Sequence, residues 1–134
     1  MAEPFIKIRG LTQRFGENEV LLGIDMDVLH GETLVILGGS GGGKSVLLKH
    51  LPGLLKATGG SIHVDGVDIS KLTERALGPI RRQMGVMFQG GALFDSFTVA
   101  ENVAFPLRES GLHDEKVIAN RVAEALEIVR LPGE

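Results

Sequence analysis

The segment GGSGGGKS, Gly38 to Ser45, narrows the possible folds of this chain more than any other eight residues. Its glycines and serine lead into a lysine and a second serine in the spacing G-x-x-x-x-G-K-[ST]. The run before it, TLVILG, is almost unbroken apolar sequence and predicts a buried, parallel strand; KSVLLKHLPGLL after it predicts a helix broken near Pro52-Gly53. Glycines let consecutive N–H groups curl around an anion with no Cβ in the way. The helix that opens at the loop turns its unpaired N–H groups and positive dipole end toward the same point. In such a loop Lys44 reaches the β- and γ-phosphates of a triphosphate, and the Ser45 hydroxyl joins the shell of a magnesium ion. With 19 glycines in the chain, a glycine-rich turn that contains Lys-Ser by chance is the competing explanation. The flanking strand and helix, in the required order, weigh against it.

Bulk properties exclude several other functions. The chain has 134 residues, a length suited to one domain with a real core, and a formal charge of −3 that offers no electrostatic case for nucleic acid. It has no cysteine, which excludes disulfides and thiolate metal sites and is compatible with a reducing compartment. The opening MAEPFIKIRG lacks the apolar core of a secretory signal, and no apolar run approaches the roughly 18 residues that cross a bilayer. Direct membrane insertion is not expected.

Around the loop, PFIKIRGLTQRF and EVLLGIDMDVLHGE read as β-structure, with Ile24, Met26 and Val28 alternating with Asp25 and Asp27. GSIHVDGVDIS reads as a hairpin turning at Asp65-Gly66. TERALGPIRRQ predicts a short helix interrupted at Gly78-Pro79, and MGVMFQ a second buried strand that ends at Gln89. Thr98 and Glu101 form a capping box ahead of VAENVAFPL, whose last turn Pro106 is expected to disturb. A further helix from Asp114 to Arg130 places Ile118, Val122, Ala125, Leu126 and Val129 along one face, before Pro132-Gly133. The predicted class is α/β, with an antiparallel piece at the front.

Three segments together resemble the N-terminal half of an ATP-binding cassette (ABC) transporter ATPase. Phe15 in LTQRFGENEV matches the aromatic A-loop, GGSGGGKS the Walker A motif, and Gln89 in VMFQGGALF the Q-loop. The run GALFDSFTVAENVAFPLRE is similar to one branch, the Mla-type ATPases of outer-membrane lipid asymmetry and their toluene-tolerance and Mce-associated relatives. The resemblance spans essentially the whole chain. It implies a P-loop NTPase core with an N-terminal antiparallel β subdomain, and ATP and Mg²⁺ as ligands.

By the same resemblance Phe15 stacks on adenine, with Val20 as a further nucleotide contact. Gly38, Gly39, Ser40, Gly41, Gly42, Gly43, Lys44, Ser45 and Val46 surround the phosphates; Lys44 and Gln89 form the catalytic group, and Ser45 and Gln89 hold the metal. Val46 stands where many members carry Ser or Thr, a loss of one hydrogen bond worth about 1 kcal/mol. Gly39 stands where proline is frequent, leaving the loop more flexible. The implied partners are a membrane permease, met through the stretch with Phe94, Asp95 and Phe97, and a second ATPase subunit in a homodimer. The implied location is the cytoplasmic face of the inner membrane, and the implied cargo is phospholipid.

The signature motif, the Walker B carboxylates, the D-loop and the switch histidine have no counterpart in residues 1–134. The expectation is therefore the N-terminal part of a single ATPase domain, with an incomplete sheet whose apolar edge invites pairing. Such a piece is expected to hold nucleotide without hydrolysing it, since the water-positioning group and the second charge clamp are missing. The rival readings are a non-catalytic or oligomerising nucleotide-binding module and, less favoured, a small P-loop kinase. Phe15 read alone is a core aromatic, and Gln89 read alone is a strand-end residue bonded to backbone. The turn accounts for Asp65, and Asp68 is expected in solvent. His30, His50, His63 and His113 show no ligand spacing, and Arg81 and Arg82 are expected to form a solvated helix end.

Overall fold

The computed structural model describes residues 3–133. They form two compact units, Met1–Gly85 and Val86–Glu134. The first is built on a four-stranded antiparallel sheet in the order β2-β1-β3-β4. Strands β1 (Ile6–Phe15) and β2 (Asn18–Val28) are joined by Gly16-Glu17, and Gly16 at φ 62° takes the left-handed first position of that two-residue loop. On the other side of β1 lies β3 (Gly59–Val64), followed by β4 (Val67–Asp68). Asp65 at φ 46° and Gly66 at φ 78° are both left-handed, so the predicted hairpin is present with a primed turn.

Three irregularities interrupt the β1–β2 ladder, and those at Gly10 and Val20 bear on the core and the site. Ile8 lies opposite Met26 and Leu11 opposite Ile24, so Arg9 and Gly10 together face Asp25. Gly10 adopts φ 55° and its N–H donates to Asp25 Oδ1 at 2.6 Å. This extra residue moves the inward face of β1 from Ile8 to Leu11 and Gln13, all three buried. Farther along, Gln13 pairs with Leu21 and Arg14 with Glu19, which leaves Val20 as a bulge on β2.

Helix α1 (Lys44–His50) contributes Leu47 to the core of this unit, a 3₁₀ turn (Ile69–Lys71) contributes Ile69, and α2 (Glu74–Arg81) contributes Leu77. These pack with Ile8, Leu11, Leu21, Ile62 and Val64 of the sheet. Asp68 is half-buried rather than solvated: it caps the 3₁₀ turn by accepting from the Ser70 N–H at 3.1 Å. Helix α2 is not interrupted at Gly78-Pro79 but runs through both residues. Pro79 removes only one N–H from the ladder, and Leu77 anchors the helix in the core.

Arg81 also departs from expectation. Its Nε donates to the Pro52 carbonyl at 2.7 Å, its Nη2 to Gly53 at 3.1 Å, and its Nη1 to Glu74 Oε2 at 2.9 Å. It thus ties the chain just past α1 to α2, where the last carbonyls of a helix region need donors.

In the second unit, α3 (Val99–Glu109) and α4 (Glu115–Ile128) pack through Ala104, Ile118, Val122 and Leu126. The predicted capping box is present: the Glu101 N–H donates to Thr98 Oγ1 at 3.1 Å and the Thr98 N–H to Glu101 Oε2 at 2.7 Å. Pro106 does not disturb α3, which continues to Glu109. Val129 lies just past the end of α4 and is exposed, so it is not part of the packed face.

Two predicted strands are not observed. Residues 33–37 and 84–88 carry no strand pairing, and side chains expected in a core are open, Leu37 at 88% and Met87 at 92% exposure. An apolar run becomes a strand only when a neighbour takes up its N–H and C=O groups. Among the described residues no segment pairs with either run. Gln89 correspondingly sits in a turn after Phe88 rather than at a strand end.

Candidate functional site

The glycine loop is shaped by its own backbone and by the lysine that ends it. Gly41 (φ 79°) and Gly43 (φ 87°) are left-handed, and the Gly42 N–H donates to the Gly39 carbonyl at 3.1 Å. A Cβ added to Gly42 would stand 3.1 Å from the Gly39 oxygen, and one on Gly43 would stand 3.0 Å from Leu21 Cδ2 and 3.3 Å from Val20 Cγ1. At Gly43 the left-handed φ and these contacts both disfavour a side chain, and at Gly42 one would press on the Gly39 carbonyl, so glycine suits the close approach of backbone to a ligand. Lys44 Nζ reaches back over the loop and donates to the carbonyls of Gly38 and Gly39 at 2.7 and 2.6 Å.

Gly43 is the N-cap of α1 and has no side chain to satisfy the first-turn N–H groups. Those donors and the exposed Ser45 hydroxyl are what a phosphate and its metal would meet. Gly38, Gly39, Ser40 and Gly41 are exposed, while Val46 is half-buried against the core.

The other predicted residues divide between the two units. Val20 lies against the loop, because its bulge lets both Val20 and Leu21 approach Gly43. Phe15, at the end of β1, is 46% exposed, which removes it from the core and leaves a ring face free. Gln89 belongs to the second unit and is exposed.

That second unit also carries an aromatic cluster: Phe94 lies 4.7 Å from Phe97 and 4.8 Å from Phe105, ring centre to ring centre. Asn102 holds it from α3, accepting from the Phe94 N–H at 2.9 Å and donating to the Phe94 and Thr98 carbonyls at 3.2 and 3.0 Å.

Sequence reasoning missed a buried pair directly behind the loop. His50, 1% exposed on α1, sits with Nδ1 2.7 Å from the Val46 carbonyl oxygen and Nε2 2.9 Å from Gln13 Oε1 of β1. Its available signal was helical spacing: Leu47 and His50 are three apart and share the buried face of α1. Spacing within the sequence does not reveal its polar partner, because Gln13 lies on the sheet.

Together, the spacing of GGSGGGKS and the lysine that opens a helix at its end are the features of a P-loop NTPase. The chain belongs to the ABC transporter family: the family model for ABC transporters matches residues 21–133. It is similar to the probable ribonucleotide transport ATP-binding protein mkl of Mycobacterium leprae, 45% identical over 129 residues, 96% of this chain and 37% of that one. It is likewise similar to the methionine import ATP-binding protein MetN of Brucella abortus, 41% identical over 128 residues, 96% of this chain and 34% of that one. The chain thus spans about a third of the length of these curated relatives.

Among solved structures it resembles a dimeric ATP-binding cassette in a post-hydrolysis state bound to ADP and Pi. That match has a TM-score of 0.84 and 30% identity, over 96% of this chain and 58% of the other. It also resembles cbiO1 of Clostridium perfringens, part of the ABC transporter complex cbiONQ. Here the TM-score is 0.77 and the identity 32%, over 94% of this chain and 50% of the other.

Proposed function

We propose that residues 1–134 form the phosphate- and adenine-binding part of an ABC transporter ATPase, taking ATP with Mg²⁺. The observation that carries this reading is the loop in which a Cβ on Gly42 or Gly43 would crowd its neighbours and Lys44 bridges the Gly38 and Gly39 carbonyls. On this reading Lys44 moves from those carbonyls to the β- and γ-phosphates, the loop N–H groups hold the anion, and Ser45 ligates the metal. Phe15 stacks on adenine with Val20 beside it. On this reading residues 1–134 bind without turnover, since the signature motif and the Walker B carboxylates have no counterpart in them.

In the whole transporter the reading adds a second ATPase subunit and a permease that holds the protein at the cytoplasmic face of the inner membrane. The exposed Phe94 and Phe97, with Asp95 between them, offer the contact with that permease. Phospholipid as cargo rests on the likeness of GALFDSFTVAENVAFPLRE to the Mla-type branch; the relatives mkl and MetN are named for ribonucleotide and methionine instead. Complementation of a strain lacking each class of importer separates the three, and rescue of methionine or ribonucleotide uptake alone would refute the lipid assignment.

Titration calorimetry with ATP, with and without Mg²⁺, tests the central claim. Saturable binding that Lys44→Ala abolishes is expected; unchanged binding in that variant would overturn the assignment of the loop.

A further inference from the structure

We propose that Gln13 and His50 are positioning residues that set the spacing between the adenine platform and the phosphate loop. The inference rests on the nucleotide reading above and adds to it the means by which two distant segments keep their register. His50 Nδ1–H donates to the carbonyl of Val46, on the first turn of α1, at 2.7 Å. Its Nε2 meets Gln13 Oε1 at 2.9 Å, and Gln13 Nε2 donates to the Arg14 carbonyl at 3.3 Å. A line of polar contacts therefore runs from the helix that opens at Lys44 to Gln13, two residues before Phe15 on β1.

Three features mark this as more than packing. Both side chains are almost fully buried, His50 at 1% and Gln13 at 6%, where an apolar pair would fill the space at lower desolvation cost. Unlike an apolar contact, hydrogen bonds of this kind fix direction as well as distance. Finally, Gln13 faces α1 only because the bulge at Gly10 shifts the inward register of β1. Without that bulge the alternation that starts at Ile8 would turn Gln13 away from the helix.

The link at Val46 is also proton-selective. The Val46 carbonyl can only accept, so Nδ1 carries a proton. With Nδ1 as the donor, Nε2 accepts from the Gln13 amide once that amide is turned so that its nitrogen faces the ring. Coupling to Phe15 then runs along β1, where Gln13 is two residues from it.

The test compares ATP with inorganic tripolyphosphate, both with Mg²⁺, on the full chain by titration calorimetry. Tripolyphosphate reads the phosphate loop alone, whereas ATP also reads the adenine platform. His50→Leu is expected to weaken ATP by about tenfold, the scale of one lost base stack, and to change tripolyphosphate by less than about twofold. His50→Gln, whose amide nitrogen can occupy the place of Nε2, is expected to recover ATP affinity to within about threefold. Gln13→Met removes the same link from the strand side and gives the same selective loss, which keeps the test available if His50→Leu fails to fold.

An equal loss for both ligands, or no loss for ATP, overturns the proposal. Binding of tripolyphosphate as tight as ATP by the unsubstituted chain overturns the adenine platform and the coupling with it. Binding of neither ligand by the unsubstituted chain refutes the nucleotide reading itself.

Discussion

Replacing Gly43 by alanine tests whether the loop is held by the strand beside it or only by its own conformation. At φ 87° an alanine is left-handed, which costs about 1–2 kcal/mol. Its Cβ would also stand 3.0 Å from Leu21 Cδ2, 3.3 Å from Val20 Cγ1 and 3.3 Å from the Val20 carbonyl oxygen. Leu21 is buried and the carbonyl is backbone, so neither gives way freely; overpacking of this kind adds about 1–3 kcal/mol. The sum is about 2–5 kcal/mol.

Gly41→Ala is the matched control. Gly41 has nearly the same conformation, φ 79°, but open space around it, so only the first cost of about 1–2 kcal/mol applies. Gly39→Ala, with neither a left-handed φ nor a neighbour within 4 Å, should stay within about 0.5 kcal/mol of the parent.

Urea unfolding followed by far-ultraviolet circular dichroism is the assay, because the chain has no Trp or Tyr for fluorescence. With slopes of about 1–3 kcal/mol per molar urea, the extra packing cost separates the Gly43→Ala midpoint from that of Gly41→Ala by about 1 M. Coincident midpoints for these two variants would refute the claim that Val20 and Leu21 brace the loop.

Other expectations follow from contacts away from the loop. Arg81→Leu strands the Pro52 and Gly53 carbonyls and should cost about 1–3 kcal/mol in the same unfolding assay, with Arg81→Lys recovering only part; full stability in Arg81→Leu would contradict the bridging role. The hydrogen bond from Arg81 holds the Glu74 carboxyl below its ordinary value of 4.5. The ionised pair therefore contributes above that value, and the contribution is lost as pH falls through the lowered folded value. Glu74→Gln should flatten the acid limb of stability against pH, and an unchanged limb would remove Glu74 from it. Asn102→Ala should loosen the turn that presents Phe94 and Phe97, read as faster hydrogen exchange at the Phe94 amide by about tenfold. Protection unaltered by that substitution would show that the aromatic rings hold the turn unaided.

The parts legible in the sequence are those decided within a few residues. The Thr98–Glu101 box and the Asp65-Gly66 turn depend on contacts between near neighbours, and both stand as predicted. Prolines were over-read: Pro79 and Pro106 lie inside helices, because one missing N–H is a smaller effect than the packing of Leu77 or Ala104. The apolar runs at 33–37 and 84–88 were legible as apolar but not as paired. Periodicity reports the side-chain environment a segment suits, while a strand needs a partner that periodicity does not name.

By itself, then, the sequence determined a glycine-rich loop between an apolar run and a helix, antiparallel β-structure earlier in the chain and two capped helices later in it. Each rests on backbone conformations that Gly, Asp and Thr favour locally, whatever surrounds them. Only the tertiary structure decided which residues stand behind the loop. The bulges at Gly10 and Val20 turn Gln13 toward α1 and Val20 toward Gly43, and they bring His50 into contact with a partner 37 residues away. Arg81 likewise finds its acceptors 28 and 29 residues back. A one-residue shift in register exchanges the two faces of a strand, so contacts at such separations follow from how the strands pair and not from the residues at either end.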